Sequence, residues 1–130
     1  MLTQKQATEL RALVEVEDNA RHGPDGPAIR LATEFHVRLA EMTEKPILIR
    51  YVTEICYRAG LALSTLARPH SSDCAVNEHL ELIETIRTGP PEAAMALMDK
   101  HLEAVAERAM LSSKGARTRE LADILAPYVN

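Results

Sequence analysis

Apolar side chains recur at intervals of three and four residues along most of the chain. That spacing places them on one face of an α-helix, whereas a strand buried on one side would alternate every second residue. No segment alternates in that way. The breaks between the apolar patterns are short and contain Gly, Pro, Ser and Asp, which is typical of turns. The pattern therefore predicts an all-α antiparallel bundle of about six helices around a central cavity.

Local signals indicate where these helices begin and end. Thr3 and Gln6 form a capping box for helix 1, in which each side chain satisfies a backbone N–H near the other. Pro46 begins helix 3, because the residue before a proline resists the α conformation and so ends helix 2. Gly89 suits the left-handed position after helix 4. The predicted helices cover about residues 3–20, 27–44, 46–66, 73–87, 90–112 and 118–126.

Three histidines, His36, His79 and His101, each lie within the apolar face of a different predicted helix. A single histidine in such a position is usually a core residue that bonds to a carbonyl or carboxylate. Three of them favour a shared cation, because every buried imidazole needs a partner and one ion can satisfy all three. His22 and His70 fall in predicted loops and are weaker candidates.

Helix 3 carries an apolar face that we expect to be buried, made of Leu48, Val52, Ile55, Ala59, Ala62 and Leu66. Arg58 lies on the flank of this face, together with Tyr51. A buried guanidinium needs an anionic partner, so one hypothesis is that Arg58 holds the carboxylate of a small ligand. The alternative is that Arg58 covers apolar surface and keeps its charge in water. Tyr51 and Asn77, which lies two residues before His79, are further candidate effector contacts.

Composition limits the classes of function. The 130 residues, of which 46% are hydrophobic, suit one domain with one core. A net charge of −4 and only 3% aromatic residues argue against binding of nucleic acid by this chain itself. The sequence has two cysteines without C-x-x-C spacing, no apolar signal region and no apolar run long enough to span a membrane. We therefore expect a reduced, soluble, cytoplasmic protein.

The histidine-bearing segments resemble a known family when they are taken in order. E-F-H36-x-x-L-A, N-E-H79-x-x-x-I-x-x-I-x-x-G and A-x-x-L-M-x-x-H101-L are similar to segments of the FCD domain. This domain is the C-terminal effector-binding domain of the FadR branch of GntR-type bacterial transcription regulators. The resemblance covers Leu2 to Leu125, and the combination of segments is more specific than any one of them.

The resemblance implies a helical bundle that holds a divalent metal through three histidines and one aspartate, and a small organic acid that binds at the metal. The histidines correspond to His36, His79 and His101. The acidic ligand of the family lies four residues before the first histidine, where this chain has Ala32. Glu34 faces about 160° away from His36 around the helix and is a poor substitute. Three histidines can still bind zinc or nickel; the alternative is a metal-free cavity in which they bind the acid directly.

The resemblance also implies a homodimer whose winged-helix domain binds DNA. That domain lies ahead of the effector domain and is absent from residues 1–130, so the chain is expected to be a piece of a regulator or a stand-alone sensor. We expect no enzyme activity. A small metal-dependent hydrolase is the first alternative, because a metal with an open position can activate water. No general base is expected beside the histidines, since Glu78 faces about 100° away from His79. A purely structural interaction module is the second alternative.

Overall fold

The computed structural model describes residues 1–23, 25–66 and 73–113, which form five α-helices and no strand. In chain order, α1 spans Gln4–Ala20, α2 spans Asp25–Glu41, α3 spans Pro46–Leu66, α4 spans Asp73–Thr88 and α5 spans Pro91–Ser113. The predicted all-α bundle is confirmed over these residues. The sixth predicted helix, 118–126, lies outside the described residues. None of the described helices combines the length and apolar character needed to cross a membrane.

The helix ends follow the local signals, except at α2 and at Gly89. Gly89 does not take the predicted left-handed conformation; its N–H continues the α-helical pattern and donates to the carbonyl of Thr85 at 2.8 Å. The Thr3–Gln6 capping box is present, and α1 and α3 begin and end as predicted. α2 begins at Asp25 rather than Pro27 and ends at Glu41 rather than Glu44, and residues 42–44 form a turn. Glu44 takes a left-handed conformation with φ of 54°. This conformation turns the chain before Lys45, which Pro46 keeps out of the α region.

A closely packed core joins α1, α2 and α4. Its side chains have almost no exposed surface and are Ala7, Leu10, Val14, Phe35, Val76, Leu82 and Ile83. Ion pairs flank it at the surface: Arg38 on α2 contacts Glu9 on α1, and Arg11 on α1 contacts Glu84 on α4. Because both pairs are largely exposed, apolar burial rather than charge is the main source of stability in this half of the protein.

α3 packs mainly against α2 and more lightly against α5. At Gly60, α3 approaches α2 so closely that a Cβ added to this glycine would lie 2.7 Å from Thr33 Oγ1. The prediction of a buried apolar face on α3 was wrong: Leu48, Ile55, Ala59 and Ala62 are exposed, Ile55 by 63%, and Val52 is only half-buried. The side chain of Leu66 lies outside the described residues. Leu48, Ile55 and Ala59 instead line an open cavity beside α2 and α5. The sequence predicted correctly which side of α3 is turned toward the other helices, but a cavity rather than packed side chains lies on that side.

Candidate metal centre

Three helices bring the three predicted histidines together. His36 projects from α2, His79 from α4 and His101 from α5, and one ring nitrogen of each lies within 4.8 Å of the others. Nε2 of His36 and Nε2 of His101 are 3.1 Å apart. His79 and His101 are almost fully buried, and His36 is partly buried. The spacing of apolar residues therefore predicted correctly that all three side chains face inward.

Two carboxylates hold the far side of two of these rings. Glu17 on α1 lies 2.8 Å from Nδ1 of His79, and neither side chain is exposed. Glu78 on α4 lies 2.6 Å from Nδ1 of His101 on α5. An ionised carboxylate accepts the Nδ1–H, which fixes the tautomer and leaves Nε2 as the nitrogen with a lone pair. The rings of His79 and His101 thus each have a carboxylate at Nδ1 and can offer Nε2 to a ligand.

Burial also controls which rings and carboxyls carry charge. The pKa of His36 falls to about 3, chiefly because burial disfavours the imidazolium and secondly because His79 and His101 are close. His36 is therefore neutral at pH 7, the form that binds a metal. Burial raises the pKa of Glu17 to about 7, against a lowering by nearby His101. A cation among the histidines would favour the ionised form of Glu17.

The donor set fits a divalent transition metal. A tetrahedral zinc ion with Zn–N bonds of about 2.0–2.1 Å holds its nitrogen ligands about 3.3 Å apart. The 3.1 Å between Nε2 of His36 and Nε2 of His101 is close to that value. The three ring nitrogens lie at most 4.8 Å apart, which exceeds the value for zinc by up to about 1.5 Å. The carboxylate contacts at Nδ1 are the outer contacts that metal-binding histidines usually make. Oε1 of buried Glu17 has no hydrogen-bond partner among the described residues, so the contact with His79 satisfies only one oxygen of this carboxylate.

The histidines lie at one side of a cavity of about 490 Å³ between α2, α3 and α5. Its wall includes Ala32, the position for which the resemblance implies an acidic metal ligand, and the free thiol of Cys56. Burial raises the pKa of that thiol. Glu34 is exposed, so it does not replace the missing carboxylate. The cavity is large enough for a small organic molecule that reaches the histidine cluster.

The three predicted effector contacts lie elsewhere. The Arg58 side chain is 79% exposed and its guanidinium pairs with Glu54 at 2.7 Å, so the hypothesis of a buried guanidinium at this position was wrong. Tyr51 is largely exposed and borders a groove at the start of α3 rather than the cavity. Asn77 is exposed on α4. Effector binding by these residues remains an untested prediction.

Glu17 and Glu78 are the site residues that the sequence did not reveal. Glu17 had a usable signal, because it continues the apolar face of Leu10 and Val14 on α1 at helical spacing. A carboxylate in such a position needs a buried partner. Glu78 was set aside because it turns away from His79. It does so, and that direction carries it to His101 on the neighbouring helix, a contact that periodicity within one helix cannot reveal.

Comparison with known proteins supports the resemblance drawn from the histidine-bearing segments. The family model described as the FCD domain matches residues 1–104, which includes α1 to α4, much of α5 and all three histidines. No curated protein and no solved structure matches the chain. Because the family match covers well over half of the 130 residues, the chain belongs to the FCD domain family.

Proposed function

We propose that this chain is the effector-sensing domain of a GntR-type transcription regulator and that it binds a small organic acid at a metal held by His36, His79 and His101. The observation that carries the proposal is the convergence of three histidines from three helices, two of them with Nδ1 held by a carboxylate. A hydrogen bond between Nε2 of His36 and Nε2 of His101 can join two of the rings, whereas one ion can accept a lone pair from all three. Ligation of one ion explains the arrangement.

Zinc or nickel fits a site made of imidazole nitrogens. The bound ion supplies a Lewis-acid position to which a carboxylate oxygen can coordinate. Glu17 and Glu78 keep the rings of His79 and His101 in orientation, and the family's acidic ligand is replaced by Ala32. With one protein carboxylate fewer, the ion retains more positive charge, which favours an anionic effector. Binding links α2, α4 and α5, so it can alter how these helices pack.

The alternative of a metal-dependent hydrolase is less well supported. A hydrolase needs a base within hydrogen-bond reach of the metal-bound water. Glu17 and Glu78 contact the Nδ1 atoms, on the opposite side of each ring from Nε2. They orient the histidines and are not placed to accept a proton from water among the Nε2 atoms. We therefore infer a binding domain rather than an enzyme.

As part of the same proposal, the domain forms a homodimer in the bacterial cytoplasm and controls DNA only through a winged-helix domain joined to it. Family membership supports this inference, and the exposed apolar side chains of α3 supply surface that a partner can cover. Effector binding would then change the relative placement of the two DNA-binding domains.

Elemental analysis combined with native mass spectrometry of the purified chain tests this function. We expect about one zinc or nickel ion per chain, a dimer mass and added mass from a retained or added carboxylate. The His79→Ala protein is the matched control and should contain no stoichiometric metal. Protein that takes up neither metal nor any carboxylate would contradict the proposed function. Turnover of an ester, amide or phosphate that stops on chelation would instead favour the hydrolase.

A further inference from the structure

The cavity beside the histidines has almost no polar anchoring group apart from them. Among the described residues that line it there is no Lys, Arg, Asp or Glu. Its wall is aliphatic on all three helices, as Ile29 on α2, Val52 and Leu63 on α3 and Leu102 on α5 illustrate. A ligand that reaches the histidine cluster therefore extends along an apolar surface.

The two threonines of the wall do not change this picture. The Thr33 hydroxyl donates to the carbonyl of Ile29 at 2.8 Å, and the Thr43 hydroxyl donates to the carbonyl of Ala40 at 2.7 Å. Each hydroxyl has a single hydrogen, which is already in use. An anion accepts hydrogen bonds, so neither threonine is a ready donor for a second carboxylate. The histidine centre is the only strongly polar anchor among the described lining residues.

An acid with two distant carboxylates would bury the second one against this wall. Burial of an ionised carboxylate without a partner is strongly unfavourable, whereas burial of a methyl group at the same place is favourable. A cavity of about 490 Å³ also exceeds the needs of a two- or three-carbon acid and has room for a longer chain.

We propose that the effector is an apolar monocarboxylate, with its carboxylate at the histidine centre and an aliphatic or aryl-alkyl body along α2, α3 and α5. This inference rests on the proposed function and narrows it from organic acids in general to acids with one polar end. Polycarboxylates are disfavoured, because the wall offers a second carboxylate neither a cation nor a free donor.

Hexanoate and adipate form a matched pair of probes, since both have six carbons and differ in the group at the far end. With zinc-loaded protein and isothermal titration calorimetry, we expect hexanoate to bind at least tenfold more tightly than adipate. From butanoate to octanoate the affinity should rise about fourfold per methylene, which corresponds to ~0.8 kcal/mol. Equal or tighter binding of adipate, or no gain with chain length, would overturn the inference.

A pair of variants tests the wall directly. Val52→Lys introduces a cation into the cavity lining, and Tyr57→Lys introduces the same charge at an exposed position of the same helix, outside that lining. We expect Val52→Lys to reduce the preference for hexanoate over adipate by tenfold or more and Tyr57→Lys to leave it within about twofold. Circular dichroism checks that both variants fold. If Val52→Lys folds but keeps the wild-type preference, the chain does not lie along this wall and the inference fails.

Zinc content, measured on the same samples, separates failure of this inference from failure of the proposed function. Stoichiometric zinc with a preference for adipate overturns the apolar effector and leaves a metal-dependent acid sensor. Hexanoate affinity that survives chelation unchanged supports the apolar cavity and removes the metal as its anchor. Absence of zinc and of binding by either acid overturns both.

Discussion

The two halves of this bundle are made from the same kinds of residue but differ in how they are filled. Between α1, α2 and α4, large side chains such as Phe35, Leu10 and Leu82 occupy the space between the helices completely. Between α2, α3 and α5, a cavity of about 490 Å³ remains, and its wall includes small residues such as Ala32 and Ala59. α2 belongs to both halves, with Phe35 in the core and His36 beside the cavity.

Helical periodicity therefore predicts which way a side chain points, but not whether the space it points into is filled by other side chains. Leu10 and Ile55 lie on equally regular apolar faces, yet Leu10 has no exposed surface and Ile55 is 63% exposed. The histidines stand where the two halves meet: the ring of His79 stacks on Phe35 with centroids 4.0 Å apart, and the same histidine also lines the cavity. A rigid core thus supports one side of the candidate metal centre, and ligand space adjoins the other.

The largest expected effect contrasts the two halves by truncation. Leu10→Ala removes a fully buried side chain from the core and should lower the free energy of unfolding by about 2–5 kcal/mol. Ile55→Ala, on the cavity wall, should change it by about 0.5 kcal/mol or less, because that side chain is already largely in water. Urea denaturation of both variants measures the contrast. Comparable losses would show that the cavity half is closed and packed in solution.

The fold was predictable from sequence to the extent that it depends on local signals. The capping box at Thr3, the break at Pro46 and the helical spacing of apolar residues predicted the helices, and the inward direction of three histidines predicted their meeting. The contacts of Glu17 and Glu78 were not predictable in the same way. Each carboxylate meets a ring on another helix, so its partner depends on helix packing rather than on spacing along one helix.

The next prediction concerns metal binding by His79, which lies where the two halves meet. His79→Ala should abolish stoichiometric metal binding and the rise in melting temperature that zinc produces, because an ion bound only to the folded form stabilises it by mass action. At a zinc concentration of about 100 times Kd, the stabilisation lost is about 2.7 kcal/mol. His22→Ala changes an exposed histidine and serves as the control. Thermal unfolding with zinc and with chelator provides the measurement; a wild-type protein that chelator does not affect would contradict the prediction.

A smaller effect tests whether Glu17, in the core half, increases the zinc affinity of the histidine centre. Glu17→Gln keeps the shape of the side chain and its ability to accept the Nδ1–H of His79, but it removes the negative charge. We expect zinc affinity to fall by about 10- to 100-fold, the range observed when an outer carboxylate of a metal site is lost. Competition with a chromogenic chelator measures the affinity. Glu15→Gln, an exposed change on the same helix, is the control, and equal affinities for the two variants would limit Glu17 to a packing role.

The smallest effect concerns the outer surface of the cavity half, where the sequence predicted a ligand contact at Arg58. The guanidinium is 79% exposed and already pairs with Glu54, so a carboxylate at the histidine centre is not expected to touch it. We expect Arg58→Ala to leave hexanoate affinity within about twofold and to reduce the free energy of unfolding by about 0.5 kcal/mol or less, the usual contribution of an exposed i, i+4 pair. Glu54→Ala should have a similar effect on stability, because it breaks the same pair. Calorimetry and urea denaturation distinguish the outcomes. If Arg58→Ala weakens the acid tenfold and Glu54→Ala does not, the guanidinium leaves Glu54 to bind the effector, and the open side of the cavity closes over the ligand.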